Sequence, residues 1–352
     1  MSYVRPVIAS TSGYIPGEQP KPGTNIIKLN TNENPYPPSP KAMEILHSLD
    51  SEWLRRYPDP YAKDFCRAVS DVFGVPQDWI IVGNGSDDLL NLLIRSCAEG
   101  HNRTVVYPTP TYVLYRTLAD MHPAKVVEVP YPSTFELPLK DLIAANGAIT
   151  FITSPNAPSG HEVPLAHIRQ LAQSVSGLVI VDEAYVDFGS TPVLALVHEL
   201  DNVMVLRSLS KGYSLAGLRL GYGIGRPELI QELFKVKDSY NVDAVAIALG
   251  TAAILDQDHK NACAEKVRRS RATLTQELQQ IGFYVLPSCG NFILTTPPAH
   301  RTLNAQAIYL ALKERGILVR YFNQPGLDDK LRITVGTDGQ IQRLIQELDV
   351  IL

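Results

Sequence analysis

The sequence predicts an α/β protein in two parts: a large domain built on a mostly parallel sheet sandwiched by helices, and a smaller α+β domain. Three observations carry this reading. The chain has 352 residues, more than one hydrophobic core usually supports, so two domains are expected. Between residues 104 and 206 short apolar runs alternate with helical patterns, with strands at 104–107, 125–129, 148–153, 178–181 and 203–206. Strands this apolar, separated by helices, indicate parallel pairing with both sheet faces covered. After a long helical stretch at 258–281 the order changes. Strands at 282–286 and 291–294 precede a helix at 304–315, strands at 317–321 and 330–335 follow, and a last helix starts from about Gly339.

Residues 1–40 are rich in Pro, Gly and Asn and read as an extended arm ending in turns. Helices are expected at 41–49 and 61–73, around a loop at Arg55-Arg56-Tyr57-Pro58-Asp59-Pro60. Residues 78–82 run into Gly83-Asn84-Gly85-Ser86-Asp87-Asp88, and 89–97 form a strongly apolar helix. The crossover helices fall at 112–120, 139–145, 164–175 and 192–199, and two more at 227–240 and 243–255 complete the first part. The expected division gives 45–257 to the large domain, and 1–44 with 258–352 to the arm and small domain.

Composition narrows the function classes. A hydrophobic fraction of 45% suits a globular chain, and a formal charge of −4 gives no basic footprint for nucleic acid. Cys66, Cys97, Cys263 and Cys289 stand apart with no C-x-x-C. They read as buried thiols in a reducing compartment rather than a disulfide frame or a zinc site. His161-Glu162 and His198-Glu199 lack the second histidine of H-E-x-x-H and read as surface residues, so no metal is expected. No signal-like segment opens the chain, and no apolar run approaches the roughly 20 residues that span a bilayer. A cytoplasmic protein with no membrane and no nucleic-acid partner is the expectation.

The chemistry gathers in residues 203–225, V-M-V-L-R-S-L-S-K-G-Y-S-L-A-G-L-R-L-G-Y-G-I-G. Lys211 sits just past a buried strand, beside Ser208 and Ser210, with Gly212 behind it and Arg219 beyond. A lysine amine ordinarily titrates near roughly 10.4. Partial burial and a nearby cation lower that value, and a neutral amine attacks an aldehyde. The aldehyde cofactor that uses a protein lysine in this way is pyridoxal phosphate, whose phosphate calls for cations and hydroxyl or amide donors. Ser208, Ser210 and Arg219 are such groups. The plain alternative is a surface turn lysine. Ser208-x-x-Lys211 also has the spacing of serine acyl-transferases, but the S-D-N and K-T-G tripeptides those need do not occur.

Other strings point the same way without deciding alone. Gly83-x-Gly85-Ser86-Asp87 joins a strand to an apolar helix, where free N–H groups bind anions; an ordinary strand-to-helix turn reads alike. It is not G-x-G-x-x-G, because Asp88 holds the last glycine's place, and Gly221-x-Gly223-x-Gly225 fails at Arg226. Asp182 ends the apolar run Leu178-Val179-Ile180-Val181. A buried carboxylate requires a positive partner, either an arginine or the protonated ring nitrogen of a cofactor. Arg320 in V-R-Y-F and Arg332 in L-R-I-T-V-G-T are strand-edge arginines or forks for a carboxylate or phosphate.

These strings join Leu29-Asn30-Thr31-Asn32-Glu33-Asn34-Pro35 and Ser154-Pro155-Asn156-Ala157-Pro158-Ser159-Gly160. Together they resemble the class I and II aminotransferases, in a form close to that of the histidinol-phosphate aminotransferases, over essentially the whole chain. The resemblance implies the type I fold of pyridoxal-phosphate enzymes, with a mostly parallel seven-stranded sheet. It implies transamination between histidinol phosphate and 2-oxoglutarate, giving imidazole acetol phosphate and glutamate. An aromatic amino-acid aminotransferase and a threonine-phosphate decarboxylase share the frame. Lys211 would be the Schiff-base residue and the general base and acid, Asp182 the partner of the pyridinium nitrogen, and Tyr185 and Asn156 the partners of the phenolic oxygen. Tyr112 would stack on the ring, with Gly85, Ser86, Asp87, Ser208, Ser210 and Arg219 around the phosphate. Tyr57 would reach that phosphate across a homodimer interface. Asn34 at the entrance, Tyr14, Arg320 and Arg332 would serve the substrate. The chain departs from the family pattern S-P-N-N-P-T-G at Ala157 and Ser159.

Overall fold

Strand Val203–Ser208 is buried along its whole length. It pairs in parallel with Leu178–Asp182 and antiparallel with Gly221–Ile224. Its side chains alternate between two cores, Val203 and Val205 entering one, Met204 and Leu206 the other. Both faces are therefore covered, which is why its sequence lacks the alternation of a half-exposed strand. The computed structural model describes residues 3–11, 13, 17–21, 23–98, 100, 103–189, 191–298 and 303–352; Tyr14 lies outside them.

The central sheet has seven strands. Their spatial order is Ile80–Gly83, Gly221–Ile224, Val203–Ser208, Leu178–Asp182, Ile149–Thr153, Thr104–Thr109 and Lys125–Pro130. Gly221–Ile224 runs antiparallel to both neighbours, and the other pairings are parallel. Helix Pro40–Ser48 packs Ala42 and Ile45 against one of the two cores beside this sheet.

A separate core lies under a four-stranded antiparallel sheet, ordered Arg320–Tyr321, Leu331–Thr334, Phe292–Thr296 and Tyr284–Val285. The long helix Gln257–Gln280 lends it Ala264, Val267, Leu274 and Leu278. The arm joins this part: Ile27–Lys28 pairs in parallel with Ile317–Leu318, and Leu29 is buried in the same core. The single strand expected at 317–321 is thus two. Its first half holds the arm, and after Val319 its second half, Arg320–Tyr321, joins the other sheet. The final helix, Asp338–Ile351, starts at a capping box in which Thr337 and Gln340 satisfy each other's backbone N–H.

Two further expectations are corrected. The helix expected at 227–240 stops at Val236. Asn241 donates from its amide to Val82 O and Asp88 Oδ2, each at 3.0 Å, and Lys237 Nζ donates to Pro60 O; these long-range bonds draw the segment off the helix axis. His161 is half-buried rather than on the surface. The rings of Tyr131 and Phe135 lie 5.0 and 5.7 Å from it, and burial pushes its pKa down to about 4, so it is neutral at pH 7. All four cysteines are free, with Cys66 and Cys263 buried and Cys97 and Cys289 half-buried. Among the described residues no helix is long and apolar enough to cross a membrane, and no cluster of His, Cys, Asp or Glu could hold a metal ion.

Candidate active site

A cavity of about 490 Å³ opens at the carboxyl ends of the parallel strands, between the arm and the small sheet. Ligands bind at this end of open parallel sheets, where loops leave polar groups unpaired. The cavity gathers most of the residues picked out in the sequence: Ser86, Asp87, Tyr112, Asp182, Tyr185, Ser208, Ser210, Lys211, Arg219, Arg320 and Arg332.

One end is built for an anion. Helix Ser86–Cys97 begins directly after Gly85, whose φ is +78°. The backbone there calls for glycine, and a Cβ would stand 2.5 Å from Arg219 Nη2 and push the guanidinium aside. The first-turn N–H groups of this helix have no intrahelical acceptor. Beside them Arg219 Nη1 donates to Ser210 Oγ at 3.3 Å, and Ser210 N donates to Ser208 Oγ at 3.1 Å. Arg219 Nη2 meets Asp87 Oδ2 at 3.2 Å, while the Tyr112 hydroxyl donates to Asp87 Oδ1 at 3.1 Å. A helix N-terminus, two hydroxyls and a guanidinium converge here, a donor set suited to a phosphate dianion.

Asp182 forms the floor. It accepts from the Tyr115 hydroxyl at 3.0 Å and from Ala184 N at 3.1 Å, and it has no ion pair among the described residues. The arginine partner considered for it goes instead to the next residue: Arg207 and Glu183 form a buried pair at 2.8 Å. Burial pushes the Asp182 carboxyl up to about 6, against the lowering effect of its two hydrogen bonds. A dry carboxylate without a cation is a socket for a protonated ring nitrogen.

Lys211 faces the same space. Its Nζ donates to Thr31 O at 3.1 Å, lies 5.8 Å from the centre of the Tyr185 ring, and has no ion pair among the described residues. Burial, then the Arg332 charge, bring its pKa down to about 8. Asn34, expected at the entrance, stands against the lysine's own backbone: its Nδ2 donates to the carbonyls of Lys211 and Gly212, at 3.1 and 3.3 Å. Asn32 lines the cavity and donates to the Tyr185 hydroxyl at 3.0 Å. Thr31 and Asn32 stand in the same L-N-T-N-E-N-P string, but composition does not tell which side chains of an extended arm face inward.

Asn156 is fully buried, with its amide engaged. Its Oδ1 accepts from Thr111 Oγ1 at 2.7 Å, and its Nδ2 donates to Ser159 Oγ at 2.8 Å and to Pro110 O at 3.2 Å. Ser159 keeps a hydroxyl where the family pattern has threonine. Tyr57 is not brought into the cavity of its own chain: it is 80% exposed and stacks on Tyr240 at 4.5 Å. Arg320 and Arg332 stand directly opposite each other on adjacent strands. The Phe322 ring, absent from the sequence reading, lies 5.4 and 5.5 Å from their guanidinium carbons. Facing like charges destabilise a strand pair, a cost that an anion bound between them removes.

Ring-nitrogen socket, amine and anion cradle share one cavity, and together they fit pyridoxal phosphate. The family described as aminotransferase class I and II matches residues 24–348. Histidinol-phosphate aminotransferase 1 of Trichormus variabilis is 56% identical over 347 residues, covering 99% of this chain and 98% of the relative. The crystal structure of histidinol-phosphate aminotransferase from Sinorhizobium meliloti in complex with pyridoxal-5'-phosphate aligns over 100% of this chain and 98% of its own. Its TM-score is 0.90 at 25% identity. A Thermus thermophilus aspartate aminotransferase mutant, 19% identical, covers 100% of both chains with a TM-score of 0.81 and so shares the fold. The fold and cofactor expected from the sequence hold, and the chain belongs to the class I and II aminotransferases, enzymes that work with pyridoxal phosphate.

Proposed function

We propose that the protein transfers an amino group between histidinol phosphate and 2-oxoglutarate, with imidazole acetol phosphate and glutamate as the other pair, in histidine biosynthesis. The observation that carries this substrate choice is the pair Arg320 and Arg332, opposed in register at the cavity wall. Histidinol phosphate has no carboxylate, so its phosphate must fill the anion site that glutamate fills with a carboxylate. One arginine serves either group; a second favours the dianion. The name carried by the 56% identical relative supports the same reading.

Bound pyridoxal phosphate supplies an electron-withdrawing ring. Asp182 would hold the proton on the ring nitrogen. Tyr185 would hold the phenolic oxygen, joined by Asn156 once its Nδ2 turns a proton from Pro110 O, the longer of its two bonds, and Tyr112 would pack on the ring face. Gly85, Ser86, Asp87, Ser208, Ser210 and Arg219 would hold the phosphate. Lys211 Nζ would carry the cofactor and, once displaced by the substrate amine, move the proton at the substrate's reacting carbon. We assign residues 45–257 to the cofactor-binding domain, and residues 1–44 and 258–352 to the arm and small domain. The unpaired cysteines support a cytoplasmic setting.

Arg320→Ala is expected to lower kcat/KM for histidinol phosphate about 10- to 100-fold, the worth of a hydrogen bond to a charged group, and to spare glutamate by comparison. Arg332→Ala should damage both substrates. Equal losses in Arg320→Ala would remove the reason for preferring the phosphorylated substrate. Faster turnover of phenylalanine or tyrosine by the unaltered enzyme would favour the aromatic alternative.

The second subunit rests on a surface. Trp53, Leu54, Tyr57 and Tyr61 are exposed within one short stretch of chain, and Tyr57 stacks on the exposed Tyr240; large apolar groups left open in this way suit an interface. A homodimer would cover them and let Tyr57 reach the neighbouring phosphate site. Sedimentation should give twice the 38.8 kDa chain mass. Mixing Tyr57→Ala with Lys211→Ala chains should restore activity, since one hybrid site has both residues. A fully active monomer refutes the shared site.

A further inference from the structure

We infer that Tyr115, Thr153 and Thr111 form a buried run of hydroxyls between Asp182 and Asn156 that positions Asp182, and that the charge on Asp182, at the nitrogen end of the cofactor ring, sets which of its links form. The inference rests on the cofactor placement proposed above. The links are short and continuous. Tyr115 Oη lies 3.0 Å from Asp182 Oδ2 and 2.7 Å from Thr153 Oγ1. Thr153 Oγ1 lies 3.2 Å from Thr111 Oγ1, which donates to Asn156 Oδ1 at 2.7 Å. Tyr115, Thr153, Asp182 and Asn156 are all buried. The Tyr115 ring stacks on Phe151 at 4.7 Å, so its hydroxyl is aimed by packing.

Counting protons shows what the chain does. Each hydroxyl has one proton to donate. The acceptor Asn156 Oδ1 takes that of Thr111. The Thr111–Thr153 link then needs the Thr153 proton, and the Thr153–Tyr115 link needs that of Tyr115. None is left for Asp182, so all four links form together only when Asp182 itself carries a proton. With Asp182 charged, as beneath a protonated ring nitrogen, Tyr115 turns its proton to the carboxylate and Thr153 turns to Tyr115. The chain then opens at Thr111–Thr153, which is its longest link. The charge at the nitrogen end of the ring thereby sets the hydroxyl orientation, and the polarisation reaching Asn156, at the oxygen end. Tyr115 is a positioning residue: it acts through Asp182.

The test uses the full-length protein loaded with pyridoxal phosphate, reading the visible absorption of the bound cofactor against pH and its dissociation constant. Tyr115→Phe and Thr153→Val are expected to raise the absorption midpoint by roughly one pH unit and weaken cofactor binding about tenfold, because each takes away hydrogen-bond support of a charged group. Thr153→Ser, which keeps the hydroxyl, should match the unaltered protein. In Tyr115→Phe/Thr153→Val the combined shift should fall short of the sum of the single shifts, because Thr153 reaches Asp182 only through Tyr115. The other titratable groups near the chain, Asp87, Glu183 and Tyr112, are common to every variant. Should Tyr115→Phe fail to fold, Thr153→Val set against Thr153→Ser carries the same comparison. Unmoved midpoints and dissociation constants, with only a lower Tm, overturn the inference, as do additive shifts in the double variant. Borohydride labelling away from Lys211 would instead overturn the cofactor placement.

Discussion

Lys211→Ala is expected to lower the rate of transamination by about 10⁴-fold, the upper range for loss of a positioned acid–base group, while pyridoxal phosphate still binds through its phosphate. Among the described residues lining the cavity, Lys211 is the sole lysine, so no second amine stands ready to replace it. The anion cradle is made by other residues and survives the change. The unaltered protein adds a pH signature. Burial and Arg332 hold the Lys211 amine at about 8, and the neutral form is the nucleophile. Cofactor capture by the empty protein should therefore rise with pH below about 8 and level off above it, measured by stopped-flow absorbance. A pH-independent capture rate between 6 and 9 would contradict this role.

Asp182→Asn is expected to act in opposite directions on rate and on stability. Removing the anion leaves the shape but loses the partner of the ring nitrogen, and kcat should fall by about 10²- to 10³-fold. The empty protein should become more stable. The folded pKa, about 6, lies above the ordinary 3.8. The folded state therefore binds this proton more tightly, and the associated stability is full below 3.8 and lost as pH rises through 6. The shift corresponds to a cost on the order of 3 kcal/mol at pH 7, which asparagine does not incur. Urea unfolding of the empty proteins should show the variant ahead at pH 7 and the difference gone near pH 4. An unchanged kcat with lower stability would mean that Asp182 is structural.

The parts of the site that were legible in the sequence are those where residue type and neighbourhood conflict. Asp182 ends an otherwise apolar strand and Lys211 follows closely on a buried one, positions where a charged group is expensive unless it has work to do. Arg320 and Arg332 were visible as candidate forks, but only the register sets them face to face. Tyr115 was not visible: three residues after Tyr112 on a helical pattern, it reads as an ordinary core tyrosine, and its link to Asp182 spans 67 positions. Which side chains of the arm face the cavity was not legible, because its backbone is ordered by pairing with Ile317–Leu318, a contact nearly three hundred residues away in the chain. The split at Val319 was hidden for the same reason, since a run of strand-forming residues does not say which sheet each half will join.

The central claim is that Lys211 carries the cofactor, and the most direct measurement is reduction of the loaded protein with borohydride followed by peptide mass analysis. One phosphopyridoxyl group per chain should appear, on the peptide containing Lys211. Label on any other lysine, with Lys211 unmodified, would contradict the account.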